Sequence, residues 1–415
     1  MNHAPASRPG ISVYAWVVFA LTFGLLISDY MARQVLSAVF PLLKSEWHLS
    51  DGQLGLLSGI VAVTVGLLTC PISLLADRIG RVKSIAAMAV LWSLATLLCG
   101  FADTYGEMLA ARVFVGLGEA AYGSVGIAVI ISVFPERLRA TLTGAFMAGG
   151  LAGQVLGVGV GGAISSEHGW RMAFIAIGLG GLLLAILYPW VVRESRLGSD
   201  RHEARAQVTY AELTALFKGR TLNCAYVGSG LQLFVAGALP AWLPTYFVRY
   251  YDLPLKPATS LAALFLAAGG VGMILCGIIS DQLVRTHPQR ALLSAFYCMG
   301  CALAITAAFL LEPGRGQLVL LGIGMFFAAA SAGPAGAMVA GLTPAALHGT
   351  AFAVLTLANN VFGLAPGPIV TGWLADHIGL QEALQWLPFA SMAAAAVFLI
   401  GSRAIRTRLG AAKPA

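Results

Sequence analysis

Twelve apolar runs, each long enough to cross a bilayer, leave this chain few folds to choose from. They fall at about 13–37, 53–75, 84–101, 107–133, 140–164, 171–192, 222–248, 258–282, 290–311, 316–341, 349–374 and 385–402. A hydrocarbon core takes about 20 residues of helix, and within it the backbone N–H and C=O groups pair inside the segment. Each run is therefore predicted to be a helix. Only 10% of the residues are charged and mean hydropathy is +0.83, whereas a soluble domain carries about 25% charged residues. The expected class is an all-α integral membrane protein with twelve transmembrane helices. The first run exceeds a signal-peptide core and is followed by no small-residue cleavage site, so it reads as an uncleaved helix.

The basic residues set the expected orientation. With the N-terminus inside, the inner clusters are Arg78, Arg81 and Lys83, then Arg137 and Arg139, then Arg193 to Arg220, then Arg403, Arg406 and Arg408. Of the 25 Lys and Arg, only Lys44, Arg171, Arg249, Lys256 and Arg315 fall on outer segments. This asymmetry predicts both termini in the cytoplasm. The net charge of +7 is split among loops, which speaks for topology and anionic lipid rather than nucleic acid.

Two runs carry charge where charge is costly. Arg112 and Glu119 sit seven residues apart in one run, within about 20° of the same helical face. Asp29 and Arg33 are one turn apart in the first run. Each intramembrane charge costs about 2.5–3.5 kcal/mol on insertion scales, so all four are candidate functional groups. A self-neutralising structural pair is the competing reading. Counted from the outer ends of the runs, Arg33 and Arg112 lie about five residues deep, Asp29 about nine and Glu119 about twelve. On that count the two bases form an outer tier and the two acids a deeper one.

Features recur along the chain. Asp77 and Arg81 reappear as Asp281 and Arg285, and Pro41, read as the end of the first run, reappears as Pro244. Gly153, Gly157, Val158 and Gly162 reappear as Gly363, Gly367, Pro368 and Gly372, with Gly161 beside them in the first copy. Offsets near 204 to 210 predict two six-helix halves, and the small residues predict close helix packing. Residues 1–192 form the first half and 221–415 the second. Between them, 193–220 reads as a basic cytoplasmic linker, with a short amphipathic helix signalled by the Thr209-Tyr210-Ala211-Glu212 capping pattern. The charged pair has no counterpart in the second half. That half offers instead Gln232, Trp242, Tyr246, Asn359 and Asn360 as candidate binding groups.

With two six-helix halves and Asp77-Arg78-Ile79-Gly80-Arg81, the chain resembles the major facilitator superfamily. Leu75 to Lys83 follows its inner-loop signature, with Ser73 where glycine is usual and Asp281 to Arg285 as the weaker repeat. Arg112 to Ala120 follows its fourth-helix pattern. Gly153 to Gly162 follows the fifth-helix pattern of antiporters, with Val158 in place of the proline. Within the superfamily, Ser50 to Leu57 and Gly116 to Tyr122 are similar to the spinster-like branch. At its first-helix Asp-Arg this chain has Ala32-Arg33, so Asp29 either replaces that acid or the proton site is lost. Related organic-anion symporters also combine a first-helix Asp/Arg with a fourth-helix Arg/Glu.

The resemblance implies a secondary transporter in a bacterial inner membrane, working as a monomer by alternating access. Its substrate is expected to be a small organic anion or anionic amphiphile, moved with protons. Efflux of drugs or lysolipid-like compounds, by proton antiport or facilitated diffusion, is the alternative. Glu119 and Asp29 are the expected proton carriers. Arg33, Arg112, Tyr122 and the second-half residues above are the expected substrate contacts. Asp77, Arg78, Gly80, Arg81, Asp281 and Arg285 are read as a conformational latch.

Enzymatic and metal sites find little support in the residues. The seven histidines lie in termini or loops without ligand spacing, and there is no Gly-x-Ser-x-Gly. Cys298 and Cys301 have CxxC spacing but no second pair, so the six cysteines read as buried thiols. No cofactor is expected.

Overall fold

A computed structural model describes residues 12–197, 219–284, 286–344 and 347–411. Arg285, the side chain of Asp77 and the expected linker helix near Thr209 lie outside the described residues. Among the described residues, twelve helices have the length and composition to cross a membrane. They are α1 Val13–Trp47, α2 Asp51–Ile79, α3 Arg81–Phe101, α4 Tyr105–Val133, α5 Glu136–His168 and α6 Trp170–Val191. The second set is α7 Arg220–Tyr250, α8 Leu255–Leu283, α9 His287–Phe309, α10 Arg315–Leu342, α11 His348–Ile378 and α12 Leu380–Ala404.

Local signals start these helices. Ser50 and Gln53 close a capping box at α2, and Thr104 and Glu107 do so at α4. Gly80, at φ +103°, makes the turn between α2 and α3. The Glu194 carboxylate then accepts from the Arg81 and Val82 amides at 3.0 and 2.8 Å and caps α3 from a distant segment. Pro41 does not end the first helix as its sequence suggested: α1 runs through it to Trp47. Proline is tolerated within a membrane helix, where neighbouring groups satisfy the backbone it frees.

Among the described residues four spans are interrupted, α12 only by a turn at Trp386 between Leu380–Gln385 and Leu387–Ala411. Helical geometry in α4 stops at Glu119 and resumes at Tyr122, and in α10 it stops at Ala328 and resumes at Ala332. Pro334 explains the second break, since its ring would collide with the carbonyl four residues earlier. The α4 break has no proline. In α11 a π-turn spans Asn360–Leu364.

The two halves repeat in space. α1 packs along α5 as α7 packs along α11, and α3 pairs with α6 as α9 pairs with α12. The glycine pattern makes these contacts. Gly153 lies against Ile27 and Tyr30 of α1, and Gly157 against Met31. Gly363 lies against Gly230 and Leu233 of α7, and Gly367 against Phe234 and Ala238. Gly161 meets Val35, also on α1, whereas Gly162 faces the other half at Thr259.

Among the described residues, the halves close on each other at one end only, the end where α2 and α8 begin and α5 and α11 finish. There, Asp376 at the end of α11 accepts from the Asp51 and Gly52 amides of α2 at 2.7 and 2.8 Å. Asp51 in turn takes a bidentate Arg249 from α7, at 2.6 and 2.7 Å, and Lys44 from α1 at 2.7 Å. Lys256 of α8 meets Glu167 of α5 at 2.7 Å. Gly55 and Gly59 let α2 ride on the α11 backbone at Pro368 and Ala365. Toward the opposite end, which carries both chain termini, Gly144 of α5 and Gly277 of α8 face open space. The molecule is closed at the loop end and splayed at the terminal end.

Candidate functional site

Between the halves lies a cavity of about 220 Å³. Tyr30, Arg33 and Gln34 of α1 line it, as do Ser58 of α2 and Gln154 of α5. The remainder of the lining is apolar or small, including Leu233, Leu266, Met273, Met325 and Leu364 from the second half.

Arg33 is the cation on this wall, 23% exposed at its side chain. Its guanidinium holds Glu119 of α4 through Nη2 at 2.7 Å and Nε at 3.0 Å to the same oxygen, Oε2. Glu119 itself is only 3% exposed and sits behind the arginine. Asp29, one turn from Arg33 on α1, is buried close enough to Glu119 for the two carboxyl groups to repel each other when both are ionised. Asp29 Oδ1 and Glu119 Oε1 are both buried without a donor. A carboxylate only accepts hydrogen bonds, so two facing carboxyls lack a donor until one carries a proton.

The tiers differ from those counted along the sequence. Arg33 is 14 residues from the Trp47 end of α1, and Glu119 is 14 from the Tyr105 start of α4, so they are level and meet. Arg112 is only seven residues into α4, and its guanidinium reaches the α1 backbone at Ala32 and Arg33 rather than the Glu119 carboxylate. The continuation of α1 past Pro41 causes the difference, because it moves Arg33 deeper. The structure pairs the side chains of Arg33 and Glu119 beside Asp29, and Arg112 joins them only through the backbone carbonyl of Arg33.

Arg112 is fully buried and does not line the cavity. Its guanidinium donates to the carbonyls of Ala32 and Arg33 at 2.9 and 3.1 Å and of Leu57 at 3.3 Å. A buried cation is tolerated when hydrogen bonds replace its hydration, and these tie α4 to α1 and α2. The other expected contacts also lie off the cavity wall. Tyr122 donates to Thr22 O at 2.5 Å, Trp242 to Pro368 O at 3.2 Å and Tyr246 to Gln317 at 3.1 Å. Gln232 donates to Ala328 O at 3.0 Å and Asn360 to Thr356 O at 2.9 Å, while Asn359 Oδ1 is buried without a donor. Polar groups in membrane helices find a backbone partner before they can face a cavity, which is why residue type alone misplaced them.

Gln232 has a further meaning. It lies 203 positions after Asp29, the offset that separates Pro41 and Pro244. Asp29 lies beside the end of the first α4 segment at Glu119, and Gln232 meets the end of the first α10 segment at Ala328. The same crossing is ionisable in one half and neutral in the other.

In the inner loop, Arg78 is exposed, and Arg81 Nη1 donates to Ala128 O of α4 at 3.4 Å. Asp281 is exposed and 3.4 Å from Arg290. These contacts stay within each half rather than bridging the two, because the halves are parted at this end. Reading from the sequence missed Tyr30, Gln34, Ser58 and Gln154 as cavity residues. The i, i+3, i+4 spacing of Tyr30, Arg33 and Gln34 was the available signal.

The sequence model of the Major Facilitator Superfamily matches residues 22–360. The chain belongs to this superfamily. It is therefore a multi-pass membrane transporter rather than an enzyme. It is 28% identical over 324 residues to a probable L-galactonate transporter of Escherichia coli K12, covering 74% of this chain and 71% of that protein. A gallate transporter of Pseudomonas putida is 27% identical over 440 residues, covering 96% and 94%. Protein spinster of Drosophila melanogaster is 25% identical over 322 residues, covering 74% of this chain and 53% of that protein. Among solved structures, a bacterial homolog of the human lysosomal transporter Spinster, in an inward-facing and unoccupied conformation, superposes with a TM-score of 0.83 at 22% identity. That match covers 97% of this chain and 99% of the other. It establishes the shared fold of this superfamily member.

Proposed function

We propose that this chain moves a small organic anion together with protons, by alternating access about the central cavity. One observation carries the reading: the cavity's cation, Arg33, is held by a nearly buried acid, Glu119, and a second buried acid, Asp29, lies one turn away on the same helix as that arginine. An anion entering the cavity competes with Glu119 for the guanidinium. Once released, Glu119 faces Asp29 in an apolar setting, where a proton shared by the two carboxyls replaces the lost arginine contact. Loss of that proton draws Glu119 back to Arg33 and expels the anion. Substrate and proton thus bind together, which makes the reading a symport. Relatives named as a probable L-galactonate transporter, a gallate transporter and a probable sulfoacetate transporter support the substrate class.

The basic terminal side supports cytoplasmic termini in a bacterial inner membrane.

Proteoliposomes loaded with a pH dye test the coupling, with Glu119→Gln run beside the wild type. The expected result is anion-dependent acidification with wild type, and anion binding without driven accumulation in the variant. Accumulation against a proton gradient by the variant would overturn the coupling.

A further inference from the structure

The two walls of the cavity differ in chemistry. The first half supplies every polar side chain of the lining: Tyr30, Arg33, Gln34, Ser58 and Gln154. The second half contributes aliphatic and thioether side chains together with glycine, alanine and proline, and no polar side chain. Three carbonyls of lining residues on that wall are already engaged: Pro240 O by Gln34, Ala328 O by Gln232 and Pro368 O by Trp242. A hydroxyl turned toward this wall would leave water and find no side-chain partner there. An apolar ring would lose nothing there.

Size narrows the choice further. An apolar cavity of about 150 Å³ accommodates benzene. At about 220 Å³ the space here takes a six-membered ring and a carboxylate.

Resting on the anion-transport reading above, we infer that the substrate is a monocarboxylate with a compact apolar ring, aromatic or alicyclic. Its carboxylate lies on Arg33 and its ring lies against Leu233, Leu266, Met273 and Met325. Polar substituents are read only on the edge facing Gln34, Ser58 and Gln154. Sugar acids carry the same charge but present hydroxyls on every face, and the second-half wall rejects them. The relatives transport both kinds of anion, since L-galactonate and gallate each name one of them. The superfamily assignment therefore leaves this choice open.

The test is titration of the full chain in lipid nanodiscs with benzoate, cyclohexanecarboxylate, gluconate and galactonate at one pH. The wild-type ranking carries the answer and needs no variant to fold. Benzoate and cyclohexanecarboxylate are expected to bind at least about tenfold tighter than either sugar acid. Arg33→Gln should abolish all carboxylate binding. Met325→Gln should narrow the gap severalfold by strengthening gluconate, since it adds a partner to the apolar wall. Equal or tighter gluconate binding that still requires Arg33 overturns this inference and leaves the organic-anion reading standing. Absence of Arg33-dependent binding by all four acids overturns both. Tight binding of a lysophospholipid in place of the ring acids also overturns the inference.

Discussion

Arg33 and Arg112 carry the same charge within the same apolar slab, yet their surroundings give them different work. Arg112 is enclosed, with hydrogen bonds to three carbonyls on two helices. Arg33 has one carboxylate partner and a face on the cavity. Lysine cannot reproduce the planar fork that serves several carbonyls at once. Arg112→Lys should therefore destabilise the detergent-solubilised protein by about 2–4 kcal/mol, the scale of several charge-assisted hydrogen bonds. Arg33→Lys keeps a cation at a partly exposed site and should cost under about 1 kcal/mol. Thermal unfolding with and without a saturating ring acid checks both, and equal losses would contradict the division. For the acids, Asp29→Asn supplies a permanent donor to Glu119. It should leave anion binding within about threefold of wild type while shifting the pH dependence of uptake.

Helices and their ends decide which state the molecule occupies. Asp376 places both carboxylate oxygens on the first amides of α2, where the helix dipole favours negative charge. The same α2 terminus carries Asp51, pinned by Arg249 from the other half. Asp376→Asn keeps one acceptor and loses the charge, a change of about 1 kcal/mol at a helix terminus. That should raise the population open at the loop end about fivefold. Spin-label distances between the start of α2 and the end of α11 would register the shift, and an unchanged distribution would show that this contact does not hold the closed end. Gly55→Leu should act in the same direction and more strongly, since even a Cβ at Gly55 collides with the Pro368 carbonyl.

At the scale of the whole molecule, closure at the loop end and splay at the terminal end make accessibility one-sided. Cysteines placed at Gly144 or Gly277 should react with a membrane-impermeant thiol reagent applied from the terminal face. A cysteine at Gly162, packed against Thr259, should not react. With cytoplasmic termini, that reagent must be supplied to inverted vesicles rather than intact cells, so one labelling experiment also checks the orientation.

The membrane class, the twelve spans and the two-fold repeat were legible in the residues, because a bilayer demands about 20 apolar residues per span and a repeated packing pattern repeats its small residues. Asp29, Arg33 and Glu119 were legible too, since charge within hydrocarbon is expensive enough to stand out. Partner choice was not. Whether Glu119 meets Arg33 or Arg112 depends on where α1 ends and how deep each helix sits, and those are set by helix-to-helix packing. The side chains facing the cavity were hidden for a related reason. A polar residue in a membrane helix can satisfy itself on a nearby carbonyl, and only the assembled bundle decides which ones, such as Gln154, are left to face a ligand.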